Sequence, residues 1–225
     1  MKKLFYLLSI TFLMLQSCSS GSSDSNSNSA VTDIDGNVYQ TVTICNQTWT
    51  KSNLNVSRYR NGDVIPQVTD NTQWAALTTG AWCYYNNDPA NGAVYCKLYN
   101  WYAVNDPRGL APVGYHIPTD LEWTTLTTCL GGESLAGGAM KEIGTSHWQS
   151  PNASATNSSS FTGLPGGCRS SSGLFNAIGN FGQWWSSSEG STTDAWARSL
   201  VYAISSANRG INNKEVGFSM RCLRD

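Results

Sequence analysis

The stretch that decides the fold is residues 180–189, "NFGQWWSSSE", in which Trp184 and Trp185 stand side by side. We interpret it as a short strand between a glycine turn and a run of small hydroxyl residues. Because neighbouring strand residues point to opposite faces, one tryptophan is predicted to lie in the core. The other faces away, where a loop covers it or its ring stays free to stack on a sugar. Burial of both rings is the favoured alternative.

The composition around this strand is that of an exported, β-rich protein. The chain has 225 residues, of which 13% are charged, and a formal net charge of −1. Nine tryptophans and ten tyrosines supply apolar bulk, while Ser, Thr, Asn and Gly supply the polarity. A chain of this length can bury a sizeable core. The absence of a basic field excludes nucleic acid as an expected partner.

The first residues are predicted to be an export signal rather than structure. "MKK" is followed by an apolar run at residues 4–15 that is too short to span a bilayer. The run ends in "LQSC", which resembles a bacterial lipobox, so residues 1–17 are predicted to be a lipoprotein signal peptide and Cys18 to be acylated. An ordinary signal with an incidental cysteine is the alternative. Residues 18–30 form a Ser/Asn-rich tether that cannot fold.

Cysteine content points to crosslinking. An even number remains after Cys18, namely Cys45, Cys83, Cys96, Cys129, Cys168 and Cys222. In an exported domain this number suggests disulfides, and free buried thiols are the alternative. The chain has no Cys-x-x-Cys and only two histidines, His116 and His147, so neither a metal site nor a cofactor is predicted.

Residues 31–225 are predicted to form one α+β domain. After an Asp-Gly turn, Val38, Val42 and Ile44 recur at even steps and predict a strand. A short helix is predicted around Trp74. A longer one begins at the capping box of Thr119 and Glu122.

The longer helix is predicted to bury one face, and a third helix is predicted to follow it, weakened by Gly137 and Gly138. The helix ends at Gly131, and its predicted buried face contains Leu121, Leu126, Cys129 and Leu130. A third helix is predicted across residues 134–144.

The strong enzyme motifs are absent, and the acidic and imidazole groups have structural interpretations. His116 is interpreted as a hydrogen-bonded structural histidine, with a general base as the alternative. Asp120 and Glu122 are interpreted as helix-capping residues rather than a catalytic pair. Asp33 and its neighbours in "DIDGN" lack the distal glutamate of a calcium loop and predict a turn.

Six segments, taken in order, resemble one family. They are "DIDGNVYQTVTICNQTWTKSNL", "AWCYYNNDPANGAVYCKLYNWYAV", "PVGYHIPTDLEWTTL", "GLPGGCRSSSGLF", "WWSSSE" and "GFSMRCLRD". Together they resemble the Fibrobacter succinogenes major paralogous domain over nearly everything after the tether. The resemblance implies a single C-type-lectin-like or sulfatase-modifying-factor-like domain, with an irregular mixed sheet, two to three short helices and many loops. Family members are typically exported lipoproteins of Bacteroidetes-like bacteria without a defined biochemical function.

The resemblance also implies a disulfide scheme and a location. Cys83 and Cys222 stand where the family often has cysteine, which implies that they pair. Cys45 and Cys96 both replace family glycines, which implies a second bridge and leaves Cys129 with Cys168. A local bridge between Cys83 and Cys96 is the alternative. The expected location is the bacterial outer membrane, on its periplasmic or cell-surface face, with the lipid anchor as membrane partner.

The implied ligand face lies in the long loop at residues 144–160. In C-type-lectin-like folds such loops carry recognition, and this one offers His147, Trp148, Asn152 and Asn157 as ligand-binding candidates. Amides suit sugar hydroxyls, and an aromatic ring suits the apolar face of a sugar. The alternative is a solvated loop with Trp148 tucked beneath it as a plug.

We therefore expect a membrane-anchored, non-catalytic binding or adhesion module of the cell envelope, with polysaccharide as the first candidate ligand. A structural component that binds an envelope protein is the second interpretation. A glycan-active enzyme is the third.

Overall fold

The computed structural model describes residues 29–225, so the predicted signal peptide, Cys18 and nearly all of the tether lie outside the described residues. The strands are β1 Ala30–Thr32, β2 Val38–Ile44, β3 Gln47–Thr50, β4 Trp82–Cys83, β5 Leu98–Tyr99, β6 Tyr115–His116, β7 Cys168–Arg169, β8 Phe175–Asn176, β9 Phe181–Glu189, β10 Asp194–Val201, β11 Ala207–Asn213 and β12 Leu223–Arg224. The helices are α1 Asn71–Ala75, α2 Pro89–Tyr95, α3 Trp101–Val104, α4 Asp120–Cys129 and α5 Glu133–Met140. The α+β class is confirmed.

The strands form a five-stranded sheet in the order β1-β2-β3-β12-β6, a three-stranded sheet in the order β11-β10-β9, and two small hairpins. Each pair of neighbouring strands is antiparallel, in contrast to the mixed sheet expected from the resemblance. The described residues contain five helices where two to three were expected. The two unexpected ones, α2 and α3, are short and begin at the side-chain caps of Asp88 and Asn100. Within residues 29–225, no helix is both long and apolar enough to cross a membrane.

Strand β9 separates two hydrophobic clusters. Trp184 and Trp185 are both fully buried, and alternation along the strand sends them to opposite sides. Trp185 packs on Phe218 with ring centroids 4.6 Å apart and belongs to the first cluster. Trp184 meets Phe161 edge to face at 5.7 Å in the second. The prediction that both rings are buried is confirmed. Strand β9 lies between the two clusters and contributes one tryptophan to each.

Helix α4 begins as predicted and buries a different face. The Thr119 hydroxyl accepts the Glu122 N–H while the Glu122 carboxylate accepts the Thr119 N–H, which is the predicted capping box. Trp123 and Leu126, about one helical turn apart, are buried, but Leu121 is 73% exposed. The prediction for Leu121 is wrong because the inward stripe is set by the larger indole of Trp123, and Cys129 is exposed as well.

Strand β2 changes its buried face along its length. Ile44 is buried and Val42 is half-buried, as the even-step pattern predicts, but Val38 is exposed. Tyr39 points inward instead, because its hydroxyl donates to the Asp33 carboxylate. The first half of β2 thus contributes to the first cluster, and Ile44 contributes to the second.

The disulfide pattern differs from the predicted scheme. Cys45 is bonded to Cys129, with 6.7 Å between their Cα atoms, so the pairings of Cys45 with Cys96 and of Cys129 with Cys168 are wrong. The other four cysteines of the described chain are free thiols, which overturns the Cys83–Cys222 bridge and its Cys83–Cys96 alternative. The free-thiol alternative, with Cys83 and Cys222 buried, describes these four residues.

Buried cations tie the irregular segments together. Arg221 donates to the carbonyl oxygens of Thr50, Phe161 and Thr162 at 2.7–3.0 Å. Lys141 likewise donates to three carbonyl oxygens. Because loops leave carbonyl groups without ladder partners, a buried multidentate donor satisfies several of them at once.

Candidate functional site

The long loop at residues 144–160 does not present the predicted binding face. Trp148 is only 1% exposed, and its indole N–H donates to the Gly163 carbonyl at 3.0 Å inside the second cluster. Asn152 is buried and donates to the carbonyl oxygens of Glu142 and Gly144. The interpretation of Trp148 as a ligand-stacking ring is therefore wrong, and the plug alternative describes it.

The other two candidates in this loop have intramolecular partners too. Asn157 accepts the Thr162 N–H at 2.9 Å and donates to the Thr162 hydroxyl, which closes a turn. His147 is half-buried, with its Nδ1 2.8 Å from a Glu142 carboxylate oxygen. The loop binds itself, and the four candidates do not converge on a common open surface.

His116 is held as the sequence predicts. Its Nε2 lies 3.0 Å from a Glu122 oxygen, and its Nδ1 lies 2.7 Å from an Asp225 oxygen. Burial opposes ionisation of Glu122, but hydrogen bonds from Thr119 and the neighbouring His116 outweigh it and lower the pKa of Glu122. This group links β6, α4 and the segment after β12, so the predicted hydrogen bonding of His116 is confirmed, and its purely structural role stays a prediction.

The "DIDGN" stretch is a turn whose acidic group is satisfied internally. The Asp33 carboxylate accepts the N–H groups of Asp35 and Asn37 at 2.9 Å and the side-chain amide of Asn37 at 2.8 Å. The turn prediction is confirmed. Across residues 29–225, no group of three or more acidic, histidine or cysteine side chains is placed to hold a metal ion.

The open polar site lies on the three-stranded sheet. Gln183 on β9, Ser199 on β10, and Asn208 and Asn212 on β11 line a depression of about 250 Å³. Ser199 stands directly opposite both Gln183 and Asn208 in the strand register, so the three side chains share one face. We call this depression the sheet trough.

The floor of the sheet trough is made by small residues. Gly210 pairs with Ala197 across β10 and β11, and a Cβ placed on Gly210 would meet nothing within 4 Å. Towards Trp185 the same sheet face is covered by the first cluster, so the trough lies where the core ends. A shallow open surface results, bordered by amides and a hydroxyl.

The lining side chains have unused hydrogen-bonding groups. Within the part of the chain that the structure describes, no intramolecular hydrogen bond satisfies the side chain of any of four residues, namely Gln183, Ser199, Asn208 and Asn212. Each is only half-buried. Amides both donate and accept, and the serine hydroxyl does the same. The trough can therefore exchange hydrogen bonds with a neutral, hydroxyl-rich ligand.

The charges near the trough are directed to the other face of the sheet. Arg198 and Arg209 both bind the Asp120 carboxylate at the start of α4, with contacts of 2.6 and 2.8 Å. Burial opposes ionisation of Asp120, but these two guanidinium groups lower its pKa. Arg198 and Arg209 also line the depression, but Asp120 pairs with both guanidinium groups on the helix side of the sheet.

A second depression, of about 500 Å³, is lined in part by the Cys45–Cys129 disulfide and by Leu121. The hydroxyls of Thr124 and Thr125 beside it donate to carbonyl oxygens of their own helix. This depression therefore offers mainly methyl groups and sulfur, and is suited to an apolar contact.

Sequence reasoning missed the trough because its residues come from three strands and form no motif. A signal is nevertheless present in "ANRGINN", where Asn208, Gly210 and Asn212 alternate with other residues on the edge strand. Period-two alternation of amides around a glycine predicts a polar strand face with a gap at its centre.

Fold and site together define an α+β domain with an open polar trough on an antiparallel sheet. A family model described as the Fibrobacter succinogenes major domain matches residues 42–224. The chain belongs to this family, and the resemblance inferred from its motifs is confirmed. No curated protein and no solved structure matches the chain.

Proposed function

We propose that this protein is a non-catalytic binding module of the cell envelope and that it holds a neutral saccharide chain in the sheet trough. The observation that carries the proposal is the set of four uncharged side chains with unused hydrogen-bonding groups around Gly210. Sugar hydroxyls match such groups in both donor and acceptor sense. Phe181, half-buried and two residues before Gln183 on the same strand face, offers an apolar partner at one end.

The experiment is retention of the full-length chain, in mild detergent, on a panel of insoluble and arrayed neutral polysaccharides. Replacing Gln183 and Asn208 together by alanine removes two ligand hydrogen bonds. At roughly 0.5–1.5 kcal/mol each, this loss should weaken binding by about 5-fold to 150-fold. Asn46→Ala is the matched control, because Asn46 is an exposed amide outside the trough. Equal binding by the double variant and the wild type would place the ligand elsewhere.

We further propose that residues 1–17 direct export and that acylated Cys18 anchors the protein to the outer membrane. The support is the basic start, the short apolar run and the "LQSC" sequence. In a cell fractionation, Cys18→Ala should move the protein from the membrane fraction to the soluble fraction. Sedimentation of that variant with membranes would contradict the anchor.

A protein-binding role is the second candidate, because the depression beside the disulfide carries Leu121, which is 73% exposed. Leu121→Asp should abolish capture of an envelope partner while leaving polysaccharide retention unchanged. The likeness to C-type lectins stays a prediction of the family resemblance.

A further inference from the structure

The outer edge of β11 is open. Lys214, just after this strand, donates its N–H to the Thr193 carbonyl at 3.0 Å, which makes these two residues a hydrogen-bonded pair. By the two-residue repeat of an antiparallel ladder, even-numbered residues of β11 point towards β10, and Arg209 and Ile211 point their backbone groups outward. No backbone hydrogen bond within residues 29–225 uses these outward groups of Arg209 and Ile211.

Sheet edges in monomeric proteins are usually blocked, often by a charged side chain. Arg209 does not serve this purpose, because its side chain is held on the helix side of the sheet. Its guanidinium binds Asp120 at 2.8 Å and stacks over the Trp196 ring at 3.5 Å. Within residues 29–225 the edge is therefore unpaired and is not blocked by Arg209, while α5 packs beside the start of β11.

We propose that β11 pairs antiparallel with β11 of a second copy of this chain, about a two-fold axis at Gly210. The strand is self-complementary in this register. Arg209 faces Ile211 of the second copy, so the two arginines are never opposite each other, and Asn208 faces Asn212, which lets two amides bond across the seam. In this register the outward backbone N–H and carbonyl groups of Arg209 face those of Ile211 in the second copy, so the two residues can exchange two hydrogen bonds.

Pairing would join two sheet troughs into one polar surface. Asn208, Gly210 and Asn212 lie on the strand that meets its copy, and Gly210 carries no side chain to divide the joined surface. A ligand that spans this surface must be a polymer, a consequence that rests on the proposed function; the pairing itself rests only on the edge. One strand pair is a small interface, so it forms where copies are concentrated, as they are on a shared surface.

The test is register-specific cysteine crosslinking of the full-length protein. Position 210 is a non-hydrogen-bonded pair across the proposed axis, where Cα atoms are roughly 4.5 Å apart, within the range that a disulfide spans. Gly210→Cys should give a reducible dimer on mild air oxidation, above any background from wild-type thiols. Asn208→Cys and Asn212→Cys should each stay monomeric alone and crosslink when co-expressed.

A backbone control separates strand pairing from chance collision. In the Gly210→Cys background, Ile211→Pro removes an outward N–H and should abolish the crosslink, whereas Ile211→Ala keeps that N–H and should preserve it. A Gly210→Cys protein that stays monomeric while its thiol reacts with maleimide would overturn the proposal. The proposal would also be overturned if Asn208→Cys alone crosslinked as strongly as Asn208→Cys co-expressed with Asn212→Cys. If Gly210→Cys fails to crosslink, polysaccharide retention by the wild-type protein would still leave the proposed function standing.

Discussion

Trp148 shows how a single ring holds a polar loop in place. The loop from residue 144 to residue 160 is rich in serine and asparagine, which cannot form a core of their own. Trp148 inserts into the second cluster, and the buried amine of Lys141 lies 5.7 Å from the centre of its ring while donating to the loop carbonyl of Ala153. The loop is thus anchored from below rather than open for recognition.

Trp148→Ala should therefore destabilise the protein strongly. Truncating a buried tryptophan leaves a cavity and costs about 3–5 kcal/mol in the free energy of unfolding. The measurement is urea denaturation followed by circular dichroism. Leu121→Ala is the control, because Leu121 is exposed and its truncation should change stability by no more than about 0.5 kcal/mol. A cost for Trp148→Ala as small as that of the control would show that the ring is not core.

Single-residue signals in the sequence are reliable where the interaction is local. The capping box of Thr119 and Glu122 and the turn at Asp33 both join residues a few positions apart, so spacing alone predicts them. Leu121 and Trp148 are different, because their burial depends on which distant segments cover them. Hydrophobicity does not encode that choice, and a large indole displaces a leucine from the inward face of α4.

At the scale of elements, the Cys45–Cys129 disulfide joins the β2–β3 hairpin to α4, two elements that also share a hydrogen bond from the Gln47 side chain to the Glu122 carbonyl. Cys45 lies in the turn between β2 and β3, and Cys129 is the last residue of α4, 84 positions later. The pairing could not be predicted from substitution of family glycines, because that argument contains no distance. It needs the packing of α4 beside the five-stranded sheet.

Removing this bridge should lower stability without unfolding the domain. Closing a loop of this length stabilises by restricting the unfolded chain, with roughly 2–4 kcal/mol as the typical effect. Both cysteines are exposed, so dithiothreitol should reach the bond in the folded protein and lower the melting temperature. The Cys45→Ser/Cys129→Ser double variant should melt at the reduced temperature with or without reductant. A wild-type melting temperature that reductant does not change would contradict this role.

At the scale of the whole molecule, four buried or half-buried cysteine thiols stay protonated in the folded protein. Burial raises the pKa of Cys83 to about 12 and that of Cys168 to about 11, and it also raises the pKa values of Cys96 and Cys222. Thiols in an unfolded chain ionise near about 8.5. Above that pH the unfolded chain releases protons that the folded chain retains, so the free energy of unfolding falls as pH rises. Burial lowers the pKa of Lys141 to about 8 and that of Arg221 to about 9, and it also lowers the pKa of Lys97. These three basic groups act with the opposite sign, but the four thiols outnumber them.

We expect the free energy of unfolding to decrease steadily from about pH 8.5 to about pH 10.5. Cys83→Ala should flatten this decrease, because it removes a thiol whose folded pKa lies above the whole interval. Guanidinium titrations at several pH values give both slopes. Identical slopes for the two proteins would mean that Cys83 does not titrate on unfolding.

How much of the molecule the sequence reveals depends on how far apart the cooperating residues lie. The adjacent Trp184 and Trp185 indicate a strand with buried residues on both faces. The order of six motifs identifies the family. The sheet trough is assembled from Gln183, Ser199 and Asn208, which meet only through the register of three strands. The types of these side chains do not indicate in the sequence that they will form a common site, because their proximity depends on strand pairing.

Strand β12 lies between β3 and β6, although it is the last strand along the sequence. A polypeptide made from its amino end therefore holds two halves of a sheet apart until Leu223 and Arg224 arrive to bridge them. We expect a chain that lacks residues 223–224 to leave β3 and β6 without the strand that joins them. The five-stranded sheet is therefore completed late in synthesis, although its first strands are made early.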